Sequence, residues 1–243
     1  MSGCLARGVE DGVFCGAQAA WYVDGQIGRC AAGRRYIDGP PVTDDTRFDI
    51  ASLTKLFTTA VALRLSDRRV IDLSMPIGEF TPSLPKGSIW RHFTVEQVLA
   101  HETGLPDWQP YFEGIDSRIR GREDGMRAIL DMVFSETATA LENGASRYSD
   151  IGFIGLSEIL SRRASAPFDL LVAREVTRAV GLDETAFFPV GTPVDPATAF
   201  ARTEECPWRG RVLDGEVHDD NAFAMGGVAG HAGLFSSARD ICT

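Results

Sequence analysis

Leu53, Leu56, Phe57, Ala60 and Val61 recur at the spacing of one helical face, and Ala62, Leu63 and Leu65 prolong the apolar run. A helix there places Ser52 in its first turn and Lys55 one turn further on, on roughly the same side. The chain must therefore bury a helix whose opening turn carries a hydroxyl and an amine together. Backbone N–H groups of a first turn lack intrahelical partners, and the helix dipole is positive at that end. Both effects favour a serine alkoxide and a developing oxyanion, so the geometry suits acyl transfer. Lys is scarce, with Lys55 and Lys86 the only two. Arg holds its proton near neutral pH, whereas a desolvated Lys can act as a base. Ser-x-x-Lys is also a common spacing, and an exposed helix-face lysine beside an ordinary serine satisfies it equally.

A chain of 243 residues is long enough for one large domain or two interleaved lobes. Hydrophobic content of 44% with 24% charged residues describes a soluble globular protein. The formal net charge of −10 argues against nucleic-acid and anionic-membrane partners, both of which reward a basic surface. No apolar run approaches membrane-spanning length. The opening MSGCLARGVEDG lacks the apolar core of a secretory signal, so Cys4 is not read as a lipid-anchored cysteine and a cytoplasmic location is expected. Cys4, Cys15, Cys30, Cys206 and Cys242 have no metal-like spacing and are expected to be buried free thiols.

Segments 13–23 and 26–32 read as two strands joined at Asp24-Gly25, a tight-hairpin signal. Thr94 to Gln97 looks like a capping box, with Gly104 and Pro106 stopping the short helix that follows. Met126, Ile129, Leu130 and Val133 mark another helix. Gly152, Gly155, Leu156, Ile159 and Leu160 share a face after Tyr148-Ser149-Asp150, the two glycines admitting a close neighbouring backbone. Phe168, Leu171, Val172, Val176 and Val180 form a further helix ended at Gly181. A starting hairpin followed by a helical lobe makes the chain α+β rather than an alternating parallel sheet.

FDIASLTKLFTTAVALRL, VEQVLAHETGLPDW, RYSDIGFIGLSEIL and VGLDETAFFP occur in the order found in serine β-lactamase-related proteins. The chain resembles that family, which includes class C β-lactamases, low-molecular-weight penicillin-binding proteins acting as D-Ala-D-Ala peptidases, and carboxylesterases. The match runs from about Phe48 to the C-terminus. It implies a β-lactamase/transpeptidase-like fold, a helical lobe (about 51–190) packed on an antiparallel sheet that begins with the hairpin (about 13–32). It also implies Ser52 as the acylated nucleophile, Lys55 as its partner base and Tyr148 as the second-motif tyrosine. Tyr148, as phenolate or as a relay held by a cationic Lys55, takes the Ser52 proton and later activates water. The plain alternative for Tyr148 is a core tyrosine with its hydroxyl tied to a carbonyl.

Asp150 stands where most members have Asn. A carboxylate only accepts hydrogen bonds, so an Asp150 facing substrate would not copy the Asn contact to a β-lactam or peptide amide. Alternatively it caps the helix that follows. His101 and Glu102 form no metal pair by spacing and are assigned a structural role, while Trp108, Tyr111 and Phe112 suit a cleft wall or a core. His231-Ala232-Gly233 has the form of the third motif, which makes His231 a substrate-binding candidate. The run GGVAGHAGLFSSARD nevertheless resembles a Gly-rich family loop leading into a helix, with Ser237 and Asp240 opening that helix and no period-2 strand around His231.

A helix starting near Ser237 has barely more than one turn before Thr243, and a lone hairpin is marginal in water. Segments 197–202 and 211–217 do not obviously complete the sheet. The family's remaining central strands and closing helix are expected to be missing, which leaves a sheet edge open to self-association. The expected activity is that of a serine hydrolase working through an acyl-enzyme on small esters, amides or D-amino-acid peptides, with no metal or organic cofactor. Esterase or D-Ala-D-Ala peptidase action is favoured over β-lactamase action. The alternative is a non-catalytic binding or scaffold protein, or an inactive fragment of the same fold.

Overall fold

The computed structural model describes residues 1–142 and 144–243. The helices are α1 (Ser2–Glu10), α2 (Thr54–Asp67), α3 (Ile77–Phe80), α4 (Val95–Leu99), α5 (Glu123–Ser135), α6 (Asp150–Ala164), α7 (Phe168–Val172), α8 (Arg178–Val180), α9 (Asp220–Ala224) and α10 (Ala238–Cys242). The strands are β1 (Gly16–Val23), β2 (Gln26–Gly33), β3 (Phe48–Asp49), β4 (Ala186–Phe187), β5 (Glu205–Cys206), β6 (Arg211–Val212) and β7 (Leu234–Ser236). The architecture is α+β, as expected.

β1 and β2 pair antiparallel with Val23 opposite Gln26, and the turn residues Asp24 and Gly25 both have positive φ, the backbone of a tight primed turn. β1 starts at Gly16, later than the expected Val13, which is exposed. A second sheet has the order β3-β7-β4, antiparallel throughout, and β5 pairs with β6. Of the two short candidate strands, Phe200 contributes only a parallel bridge to Arg47, and Arg211–Val212 form β6. Beside β1, an apolar groove of about 720 Å³ is lined by Phe14, Ala17, Phe48, Ile50, Leu53 and Ile241.

The core lies among α2, α5, α6 and α7, with Ile151, Ile154, Leu156, Ile159 and Leu160 of α6 at its centre. The close neighbour that the α6 glycines admit is a side chain, not a backbone: a Cβ on Gly155 would lie 2.3 Å from the Trp90 ring. α4 opens with the expected capping box, Thr94 and Gln97 each bonding the other's backbone N–H. It stops at Leu99, ahead of Gly104, and His101 then adopts φ +60°. α7 runs through a π turn (Ala173–Thr177) into α8 and ends at Gly181 in the left-handed conformation.

The inward face of α2 differs from the expected one. Thr54, Lys55, Phe57, Thr58, Val61, Ala62 and Leu65 are buried, whereas Leu53, Leu56 and Leu63 are exposed. Two threonines decide the rotation. Thr54 Oγ1 accepts from Leu234 N–H (3.2 Å) and Thr58 Oγ1 donates to the Gly230 carbonyl (2.7 Å), so hydroxyls satisfy the loop backbone threaded against the helix. Hydrophobicity alone assigns those inward positions to leucine. The thiols also depart from expectation: Cys206 is buried, but Cys4 and Cys15 are exposed, Cys4 on a helix that buries no residue. Among the described residues, no helix is long and apolar enough to cross a membrane.

Candidate active site

The nucleophile turn is built on Asp49. Its Oδ1 accepts from Ala51 N–H and its Oδ2 from His218 N–H, each at 2.7 Å. Ala51 has φ +48°, which costs a non-glycine residue on the order of 1 kcal/mol, and the Asp49 bond offsets that strain. Burial pushes the Asp49 carboxyl above its usual range, opposed by those two backbone bonds. Ser52 follows, exposed, in a short 3-10 turn (Ala51–Leu53) that leads directly into α2.

Lys55 projects from the first turn of α2 and is buried. Its Nζ donates to Ser52 Oγ at 3.1 Å and to the His231 carbonyl at 3.2 Å. Asp150 Oδ1 lies 2.7 Å away as a charge pair rather than a well-directed hydrogen bond. Ser149 caps α6, its hydroxyl accepting from Gly152 N–H, so Asp150 is not the cap and turns its carboxylate to Lys55.

Tyr148 is half-exposed, and its ring centroid is 4.8 Å from Lys55 Nζ, with the amine over the ring face. Its ring stacks on His101 at 4.6 Å. His101 Nδ1 accepts from Ser149 N–H at 3.1 Å, and its carbonyl accepts from Arg147 N–H at 2.8 Å. Burial first, then the Lys55 charge, hold the His101 pKa below its usual value, with Asp150 opposing. A neutral imidazole is what that acceptor role requires. Trp108 is exposed, while Tyr111 and Phe112 are buried.

His231 lies on the loop before β7, and its ring is 1% exposed. Nε2 pairs with Asp219 Oδ1 at 2.9 Å, so the carbonyl, not the imidazole, reaches Lys55. The loop does lead to the expected helix, with Ser237 capping α10. It passes first through β7, whose three residues are all buried and therefore show no alternation. Asp219, which sequence reasoning did not single out, caps α9 through Ala222 N–H. The Asp-Asp-Asn-Ala run marks such a cap, but nothing local marks its approach to the lysine.

Donor atoms of Asp150, Asp219 and His231 all lie within 4.8 Å of one another. They are already engaged, Asp150 by the Lys55 amine and Asp219 by His231, so the arrangement fits an internal charge network better than a metal centre.

Residues 1–243 match the family model described as Beta-lactamase. The chain is 31% identical over 218 residues to the N-acetylmuramyl-L-alanine amidase of Bacillus subtilis (strain 168), covering 81% of this chain and 48% of that protein. A putative D-alanyl-D-alanine carboxypeptidase of Escherichia coli (strain K12) is 29% identical over 218 residues, covering 82% and 50%. The chain thus spans about half the length of the curated relatives it matches. Among solved structures, a beta-lactamase/D-alanine carboxypeptidase from Pseudomonas syringae has a TM-score of 0.76 at 22% identity, over 99% of this chain and 62% of that one. The octameric penicillin-binding protein homologue from Pyrococcus abyssi gives 0.76 at 18%, over 99% and 53%. These likenesses show a common fold, and the family model reaches from the first residue to the last: the chain belongs to the beta-lactamase family.

Proposed function

We propose that the chain carries the acylation centre of a serine hydrolase acting on small esters, amides or D-amino-acid peptides. Ser52 Oγ attacks the substrate carbonyl, its proton passes to the Tyr148–Lys55 pair, and the leaving alcohol or amine is protonated from there. Water then attacks the ester on Ser52 and gives its proton to the same pair, which returns it to Ser52 Oγ as the ester bond breaks and the acid leaves. The observation that carries this reading is the 3.1 Å contact between Lys55 Nζ and an exposed Ser52 Oγ beside the Tyr148 ring. Ser52 N–H, in the turn opening onto α2, is a candidate donor to an oxyanion. The names of the amidase and carboxypeptidase relatives support amide and peptide substrates. Asp150 supports a bias away from β-lactams, because its carboxylate offers no donor where Asn has one.

Turnover of a p-nitrophenyl ester, a D-Ala-D-Ala peptide and a chromogenic β-lactam, by the chain and by Ser52→Ala, tests the reading. Ester or peptide turnover that Ser52→Ala abolishes supports it. Turnover that survives Ser52→Ala, or none on any substrate by folded protein, favours the binding or scaffold alternative.

A further inference from the structure

Four consecutive residues, His218 to Asn221, brace three separate segments of the site. His218 N–H donates to Asp49 Oδ2 at 2.7 Å, and Asp49 in turn holds the turn that carries Ser52. Asp219 Oδ1 pairs with His231 Nε2, and the His231 carbonyl accepts from the Lys55 amine. Asn221 is buried; its Oδ1 accepts from Phe112 N–H at 3.0 Å and its Nδ2 donates to the Gln109 carbonyl at 2.8 Å. Just before that segment, the Pro106 and Asp107 carbonyls accept from the Ser149 hydroxyl and from Asp150 N–H, next to Tyr148. The surroundings of Ser52, Lys55 and Tyr148 are thus tied to one short run of chain. The run does not support itself, because residues 213–219 lie outside helix and strand and α9 begins only at Asp220.

One side chain holds the run in place. Arg209 lies in the turn between β5 and β6, with its side chain 2% exposed. Nη1 donates to Glu216 Oε1 at 3.0 Å and to the Val217 carbonyl at 2.6 Å. Nη2 donates to the His218 carbonyl at 2.8 Å and to Asp220 Oδ1 at 2.7 Å. The guanidinium also lies over the Phe223 ring at 4.2 Å. The four bonds flank Asp219 on both sides and occupy both terminal nitrogens, while the buried Nε has no partner among the described residues. A lysine carries the same charge on one nitrogen with three protons, so it cannot serve four acceptors.

We infer that Arg209 is a positioning residue for the acylation step, fixing residues 218–221 so that the Ser52 turn and the Lys55–His231 contact keep their mutual geometry. Arg209 makes no hydrogen bond to Ser52, Lys55 or Tyr148 among the described residues, and it acts through His218 on Asp49 and through Asp219 on His231. Small displacements of a nucleophile from its partners cost large factors in rate, so loosening this hold slows the reaction without weakening substrate binding. The assignment rests on the acyl-enzyme reading and extends it to a residue remote from the reacting atoms.

Arg209→Lys and Asp220→Ala, the latter losing one of the four bonds, should be compared with wild type and with Thr94→Ala, which loses only the cap of α4. In each folded protein, the dependence of Ser52 labelling on phosphonate concentration gives a maximal rate and a half-saturating concentration. Arg209→Lys should lower the maximal rate about tenfold or more with half-saturation unchanged. Asp220→Ala should lower it less, and Thr94→Ala should leave it unchanged. Amide hydrogen exchange at His218 and Ala51 should quicken in the same order. A wild-type maximal rate in Arg209→Lys, a change confined to half-saturation, or an equal loss in Thr94→Ala overturns the proposal. Where Arg209→Lys fails to fold, a wild-type rate in Asp220→Ala overturns it instead. Exchange separates the two readings. Quickened exchange in the variants, with Ser52 unlabelled even in wild type, overturns the acyl-enzyme and keeps the hold of Arg209 on the site. Ser52 labelled at the wild-type rate, with exchange unchanged, overturns the hold and keeps the acyl-enzyme.

Discussion

Gly152 and Gly155 lie on α6, the helix that carries Asp150, and the same change to alanine is expected to act on them with opposite sign. A Cβ on Gly155 would sit 2.3–2.8 Å from three ring atoms of Trp90. Carbon atoms pack at about 3.5–4.0 Å, so more than 1 Å must be recovered. Trp90 cannot yield it easily. It is fully buried, its Nε1 donates to the Val133 carbonyl at 2.9 Å, and Phe93 and Phe134 meet it edge-on. Overpacking of this kind costs about 1–3 kcal/mol or more, against which alanine gains about 1 kcal/mol in helix propensity. With Trp90 unable to yield, the upper part of that range applies, and Gly155→Ala should lose up to about 2 kcal/mol net. A Cβ on Gly152 first meets Val98 Cγ1 at 3.4 Å, an ordinary contact, so Gly152→Ala should gain about 0.5 kcal/mol. Urea unfolding followed by tryptophan fluorescence should show midpoints displaced in opposite directions with unchanged slope. Equal shifts, or a stabilised Gly155→Ala, would refute the close-packing account of α6.

Three further outcomes follow from single contacts. Burial pushes the Asp219 carboxyl up, but His231, the Ala222 N–H bond and Lys55 outweigh it and bring its pKa to about 2. A folded value below the unfolded one means that this stability is complete above about pH 4 and is lost as pH falls through about 2. Asp219→Asn should flatten that acid limb by about 2 kcal/mol, and an unchanged limb would exclude the pairing. Asp49→Ala leaves the Ala51 and His218 N–H groups without acceptors but also removes a half-buried carboxylate. A net loss of about 2 kcal/mol in urea and slower phosphonate labelling of Ser52 are expected; labelling at the wild-type rate would mean that the turn is held by other contacts. Thr94→Ala removes the capping box of α4 and should cost about 1 kcal/mol, against no change if the cap is idle.

What was legible in the chain follows from how local each determinant is. The hairpin turn at Asp24-Gly25, the Thr94 box, α6 and the stop at Gly181 each depend on a few consecutive residues, and each appears in place. β7 was not legible, because its three residues are buried on both faces and its partners come from 48–49 and 186–187. The inward face of α2 was misread, because its threonines bond a loop that no local pattern announces. At the site, Ser52, Lys55 and Tyr148 were marked by motif, and the structure brings the three side chains together. The pairing of Asp150 with Lys55 and the presence of Asp219 depend on tertiary placement, and no spacing encodes them.

The hydrolase account stands or falls on where an acylating reagent ends up. The folded chain should be incubated with a penicillin or a serine-reactive phosphonate, digested, and mapped by mass spectrometry. One adduct on the peptide carrying Ser52, absent in Ser52→Ala, is the expected result. An adduct on another serine, or an unmodified Ser52 peptide in protein that is folded, would contradict it.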